Sequence, residues 1–196
     1  MIDREICRFI ESRQYDNAEQ LVNMLLAASK KEICEYLKKM HIKEIEPKNV
    51  PQYSSISAGT KDMLSYLRKA GNFGPSFVEV GKHFLGLNHN EAAYTKYGEN
   101  HSKLAELLGV VDIRTQGRRK VYLNDLGIEI EKLSEEKQED CFDKLAALIP
   151  VVQYAVQKDI YGGDDVEKLL MKYLSETTAK RRRKNTLDLI VRLRGE

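Results

Sequence analysis

Apolar residues recur along most of this chain at intervals of three and four, which is the period of helices packed on one side. Ile6, Phe9 and Ile10 mark a first short helix, Leu21, Val22, Leu25 and Leu26 a second, and Ile33, Tyr36, Leu37 and Met40 a third. Asp16 with Glu19, and Ser29 with Glu32, have capping-box spacing ahead of the second and third. Pro47 and Pro51, followed by small polar residues, disfavour helix over 45–58, which reads as a linker or surface crossing. Residues 1–45 are thus expected to form a helical module. It is too small to bury three apolar faces alone, so it self-associates, docks on a partner protein or packs on the chain that follows.

The grammar changes beyond residue 60. Met63, Leu64 and Leu67 line a short helix stopped by Gly71, and Ser76 caps a second, FVEVGKHFLG. Asn88 with Glu91 opens a third, EAAYTKYGENHSKLAELLG. After Gly109 the chain becomes β-like: VVDIRTQ and RRKVYLND, rich in Val, Ile, Thr and Tyr, flank a turn at Gly117 as a hairpin. Three helices and then a basic hairpin is the order of a winged helix, here over 60–133 after a 46–59 linker, with the hairpin as wing. Another helix, EEKQEDCFDKLAALIPVVQYAVQKD, is kinked or split at Pro150. Asp164 with Glu167 caps VEKLLMKYL, and residues 175–177 separate it from the basic TTAKRRRKNTLDLIVRLRG. Helix, short break and basic helix is a helix-turn-helix order, within a C-terminal helical unit over 134–196. The fold class expected is mainly α: a winged helix-turn-helix with flanking helical segments and a C-terminal helix-turn-helix.

Composition narrows the function. The 196 residues are 42% hydrophobic, and 32 Lys+Arg against 30 Asp+Glu leave a net charge of +2. A disordered chain and a uniformly basic binder are both excluded. Three widely spaced cysteines (Cys7, Cys34, Cys141) give no disulfide framework and no CxxC pair, in keeping with a reducing compartment. No apolar run approaches the roughly 18 residues of a membrane span, and MIDREICRFIE carries acids where a signal peptide carries bases. A soluble, cytoplasmic protein is expected.

The charge is unevenly distributed. Glu129, Glu131, Glu135, Glu136, Glu139, Asp140 and Asp143 crowd residues 128–143. Residues 177–196 gather Lys180, Arg181, Arg182, Arg183, Lys184, Arg192 and Arg194 against Asp188 and Glu196. The hairpin adds Arg114, Arg118, Arg119 and Lys120. Segregated bases on such elements are what phosphate contact requires. On a helical wheel with Ala179, Leu187, Ile190 and Leu193 inward, the last helix turns Arg181, Lys184, Asn185 and Arg192 outward. Arg182 and Arg183 flank its apolar face, and Thr177 or Thr178 caps its first turn. Arg and Asn also read guanine and adenine edges; the competing reading is a solvated basic tail. For the third helix of the hairpin unit, burial of Ala93, Tyr97, Leu104 and Leu108 would expose Thr95, Glu99, Ser102 and Glu106, edged by Lys96 and Lys103. Only its start (Asn88, His89, Asn90, Thr95, Lys96) suits DNA.

The stretches KYGENHSKLAELLGVVDI, RRKVYLNDLG and SETTAKRRRKNTLDLIV, across residues 60–196, resemble winged-helix segments of bacterial restriction-type and mobile defence systems. The resemblance implies DNA binding, in some cases as the target-recognition part of a nuclease.

Catalytic chemistry is harder to find. Glu46-Pro47-Lys48 and Glu135-Glu136-Lys137 have the acid-x-Lys spacing of restriction-type metal sites but fall in the proline linker and at a helix start. His41, His83, His89 and His101 make no helical pair, and no cysteine lies near them in sequence. A GxxxxGK[ST] loop is absent, and none of the ten tyrosines has a recombinase-like Arg/His pattern around it. No enzyme, cofactor or metal is therefore expected. The expected function is double-stranded DNA binding without catalysis, as a regulator or as the recognition component of a defence system. DNA contacts are assigned to Asn90, Thr95, Lys96, Lys103, Arg114, Arg118, Arg119, Lys120, Lys180, Arg181, Arg182, Lys184 and Asn185. Two alternatives are a protein-interaction subunit and a nuclease with an unrecognised metal site.

Overall fold

The structure is a computed structural model that describes residues 2–41 and 43–195. Glu196, counted above among the terminal acids, lies outside the described residues. The chain is mainly helical, with eleven α-helices and one two-stranded antiparallel sheet among the described residues. It divides into two compact units, one made of residues 1–54 and 140–196, the other of 55–139. The N-terminal helices and the C-terminal segment, expected to be separate, are one body.

In this composite unit, α1 (Arg4–Ser12), α2 (Ala18–Ala27) and α3 (Lys30–Leu37) bury Ile6, Phe9, Ile10, Leu21, Leu25, Ile33 and Leu37. α8 (Glu135–Leu145) ends in this unit, followed by a 3-10 turn (Ala146–Leu148) and α9 (Pro150–Gln157). Every residue from 141 to 153 is buried. α1 and α3 pack on that turn, and α3 also packs on α9. The faces expected to mediate self-association are therefore covered within their own unit. Pro150 does not kink a long helix. It starts α9 at the first position, where its missing N–H costs nothing, and Ile149 before it is extended. Gln153 Nε2 donates to Ala147 O at 2.7 Å, across the break between the two helices.

Charges that enter this unit enter with partners. Lys144, buried, donates to Leu25 O at 2.9 Å and to Asp140 at 2.5 Å. Asp143 receives Lys30 at 2.6 Å and Arg192 at 3.0 Å. α10 (Gly163–Leu170) and α11 (Glu176–Arg194) are joined by five residues, 171–175, rather than three. α11 buries Ala179, Thr186, Leu189, Ile190 and Leu193.

The Ser29–Glu32 and Ser76–Glu79 capping boxes form with both reciprocal bonds. Other helix starts shift by one to three residues, to Asn17, Asn90, Gly162 and Ser175 in place of Asp16, Asn88, Asp164 and Thr177 or Thr178.

In the 55–139 unit, a single π turn (Ile56–Thr60) leads into α4 (Lys61–Ala70), α5 (Phe77–Leu85) and α6 (Glu91–Leu107). The sheet follows as β1 (Val111–Gln116) and β2 (Arg118–Leu123), and then α7 (Asp125–Glu131). Met63, Leu64, Leu67, Phe77, Val80, Leu104, Leu108, Val121, Leu126 and Ile130 form its core. α5 and α6 meet backbone to backbone. A Cβ on Gly81 would lie 1.9 Å from Tyr94 O, and one on Gly98 would lie 1.9 Å from Phe77 O. Only glycine permits that approach.

Gly98→Ala is expected to destabilise the 55–139 unit by about 2–3 kcal/mol, although alanine is the better helix former by roughly 1 kcal/mol. In Gly163→Ala the new Cβ meets nothing closer than 3.8 Å, so that control is expected to be near neutral. Urea unfolding followed by circular dichroism measures both, and equal midpoints would refute the close crossing.

Candidate nucleic-acid interface

The hairpin forms because two β-prone runs meet at Gly117, whose φ of +77° is the left-handed turn conformation that glycine takes without strain. Its register pairs Val111 with Leu123, Ile113 with Val121 and Thr115 with Arg119 on one face. Val111 and Val121 are buried there. The other face carries Asp112 opposite Tyr122, Arg114 opposite Lys120 and Gln116 opposite Arg118. Period-two alternation therefore collects Arg114, Arg118 and Lys120 on one side, with Arg114 and Lys120 directly across from each other. Like charges in that position oppose pairing. Asp112 accepts from Arg114 at 3.2 Å, and the Arg114 guanidinium lies 4.8 Å from the Tyr122 ring centre. Lys120 donates to Phe73 O at 3.3 Å. Arg118 is exposed and has no ion pair among the described residues.

Residues 75 and 76 pair with β2 from its other edge. Val121 N donates to Pro75 O at 2.9 Å, and Ser76 bridges Lys120.

Arg119, on the hairpin's opposite face, donates to Glu99 of α6 at 3.2 Å and lies 5.2 Å from the Phe77 ring centre. Glu99 also holds Lys103 at 2.8 Å, and that bond, with Arg119 nearby, keeps its carboxyl below the usual carboxylate range. Arg119 and Lys103 thus share one acid. On α6 itself, Asn90 Oδ1 caps the helix by accepting from Ala93 N at 2.8 Å. Thr95 Oγ1 donates to Glu91 O at 2.8 Å. Lys96 is exposed.

The phase of α6 differs from the expected one. Tyr94, Gly98, His101, Ser102, Leu104 and Ala105 face inward, while Ala93 and Tyr97 are half-buried. Ser102, expected outside, is fully buried and donates to Gly98 O at 2.7 Å. A wheel phased on Ala93, Tyr97, Leu104 and Leu108 missed the close contact at Gly98, which has no side chain to mark it.

The terminal run is mostly engaged within its own unit. Arg182 donates to Pro47 O at 3.1 Å and Val50 O at 2.9 Å, and desolvation lowers its pKa below the ordinary arginine value. Asn185 Nδ2 donates to Gln52 O at 2.7 Å, so it faces the chain rather than solvent as the wheel had it. The stretch read as a linker is a strap held down by α11, with Val50 and Pro51 buried. Lys180 pairs with Glu176 at 2.6 Å and Arg183 with Glu167 at 2.9 Å. Arg181 and Lys184 remain exposed without an ion pair among the described residues.

The acid-x-Lys triplets lie on no strand: Glu46 pairs with Lys48 at 2.7 Å beside a 3-10 turn (Pro47–Asn49), and Glu135 opens α8. Among the described residues no three His, Cys, Asp or Glu side chains converge as a metal site would need. Burial pushes the Cys141 thiol up to about 12. No helix of the described residues is long and apolar enough to cross a membrane. Compared with protein-family models, curated proteins and solved structures, the chain shows no match.

His101, on the inner side of α6, stacks on Phe84 with ring centres 4.0 Å apart and lies 4.9 Å from Tyr97. Burial lowers its pKa from 6.5 to about 4. The folded state therefore holds the neutral imidazole. That contribution is complete above about pH 6.5 and is lost as the pH falls toward 4. Between pH 7.5 and 4.5 wild type is expected to lose about 2 kcal/mol more stability than His101→Phe. Urea midpoints at the two pH values check this, and parallel losses in both proteins would refute it.

Proposed function

We propose that the 55–139 unit is a winged-helix module that binds double-stranded DNA without catalysis, with the β1–β2 hairpin as its main phosphate-contacting element. The observation that carries this reading is the same-face trio Arg114, Arg118 and Lys120, in which two cations sit directly opposite each other with Asp112 as the one acid on that face. A hairpin retains such repulsion at low cost when an anion occupies that face, and a phosphate backbone is a regular array of anions. The chain order adds support: two helices, a third ending just before the hairpin, and an added strand-like pairing at residues 75–76.

Exposed Glu91 and Glu106 disfavour deep entry of α6 into a groove, so contact centres on the hairpin and Lys96. In this reading Asn90 and Thr95 act through the helix they cap and brace, and Lys103 and Arg119 orient the hairpin on α6. Arg182 and Asn185 hold the strap of the other unit, Lys180 is paired there, and Arg181 and Lys184 are exposed on it.

Replacing Arg114, Arg118 and Lys120 together with Ala is expected to weaken binding to every duplex at least about tenfold. The slope of log affinity against log salt should shrink by about 2.7, three phosphates at roughly 0.9 each. Arg181→Ala with Lys184→Ala is expected to shrink it by less. Fluorescence anisotropy on labelled duplexes measures both, with circular dichroism confirming the fold. Unchanged affinity and slope in the hairpin variant would sink the reading.

A further inference from the structure

Two large apolar side chains stand almost wholly in solvent, Phe73 at 85% exposure and Leu87 at 87%. Scattered exposed apolar residues are ordinary. Phe73 is set apart by its attachments. Its carbonyl accepts from Lys120 of the hairpin at 3.3 Å. Gly74, at φ +38°, lies so close to Tyr122 that a Cβ there would come within 2.4 Å of the ring. Pro75 O accepts from Val121 N at 2.9 Å, and Ser76 pairs with Lys120. The backbone around Phe73 is thus fastened to β2 while its phenyl ring stays free. It neighbours the face that carries Arg114, Arg118 and Lys120, with the Arg114 guanidinium over the Tyr122 ring. Leu87, in the α5–α6 turn, has no π face to offer.

An exposed aromatic ring beside a cationic track is the arrangement on which unpaired bases stack while phosphates meet the cations. In an intact duplex the base faces are covered by their neighbours, and uncovering one costs a few kcal/mol; an unpaired base has no such cost. We propose that Phe73 is a stacking platform for an unpaired base, so that the preferred ligand is duplex DNA bearing a single-stranded overhang. The hairpin cations hold the phosphates and the phenyl ring takes the first unpaired base. This inference rests on the DNA-binding reading above and names the substrate class of the same surface.

The test uses the full chain and three labelled probes: a blunt duplex, and the same duplex with an overhang at the 3′ or the 5′ end. Wild type is expected to favour one overhang over the blunt duplex about tenfold, the scale of one stacked base. Phe73→Ala should bring that preference to within about twofold. The sequence has no tryptophan. Phe73→Trp therefore adds a lone indole, whose emission should be quenched by the favoured overhang and not by the blunt duplex. A preference that survives Phe73→Ala, or blunt-duplex binding by wild type with no overhang preference, overturns the stacking role and leaves the DNA reading standing. Failure of wild type to bind any probe overturns both. If the hairpin triple variant binds as wild type while Phe73→Ala loses the preference, the hairpin reading fails and the stacking role stands.

Discussion

Two backbone carbonyls set the geometry of the 55–139 unit. Tyr94 O lies against Gly81 and Phe77 O against Gly98, so α5 and α6 approach with no side chain between them. At that distance the helices have little freedom to rotate about their own axes, because turning either would bring a Cβ into the crossing. The crossing therefore fixes which residues of α6 go inside, including polar Ser102 and His101. It also fixes which stay out, among them Lys96, Glu91 and Glu106. The hairpin inherits its position from the same packing. It is joined to the start of α5 through Pro75 and Ser76, and Gly127 of α7 lies so close to Val110 O that a Cβ would come within 2.1 Å.

The two basic clusters look alike as sequence and differ as structure. On α11 the bases act mainly as clamps. Arg182 supplies donors to two carbonyls of an irregular strap, acceptors that regular secondary structure would otherwise have to satisfy, and Asn185 does the same one turn later. Arg192 completes the charge of buried Asp143. On the hairpin the alternation of strand residues collects bases on a single face, with one acid among them. A cluster whose charges are bonded into the fold offers little to an external anion. The hairpin bases are partly engaged too, Arg114 by Asp112 and Lys120 by Phe73 O, but register gathers them beside exposed Arg118 on one face.

Much of the fold was legible in the sequence because it rests on local rules. The helical apolar spacing, the Ser29 capping box, the Ser76 cap and the hairpin about Gly117 all depend on residues close together in sequence. Long-range pairing was not legible. The apolar faces of α1 and α3 signalled a missing partner, but nothing local says that it lies more than a hundred residues away, in the 146–148 turn for both helices and in α9 and α11 for α3. The phase of α6 was misjudged for a related reason: the wheel weights apolar side chains, whereas the close contact sits at Gly98, which has none. Gly81 and Gly98, one in each helix, were the available signal. For the candidate site, the hairpin bases stood out from their charge and the β-prone runs around them, whereas their sorting onto one face needed the register. Phe73 was missed because nothing local tells an exposed aromatic residue in the turn between α4 and α5 from a packed one.

Net charge bears on how such a surface works. With 32 bases against 30 acids, the chain has little long-range field to draw in a polyanion. At physiological ionic strength the screening length is about 8 Å, so only cations placed within a few ångströms of phosphate contribute. Attraction is then a matter of where the hairpin points rather than of total charge. Glu91 and Glu106 on the exposed side of α6 add a penalty for any approach that brings that face toward a phosphate backbone. If the hairpin binds DNA as proposed, attraction on one face and repulsion on the next would restrict the orientations in which a duplex fits. On the proposed reading, discrimination comes from ligand shape more than from base-edge contacts along a recognition helix.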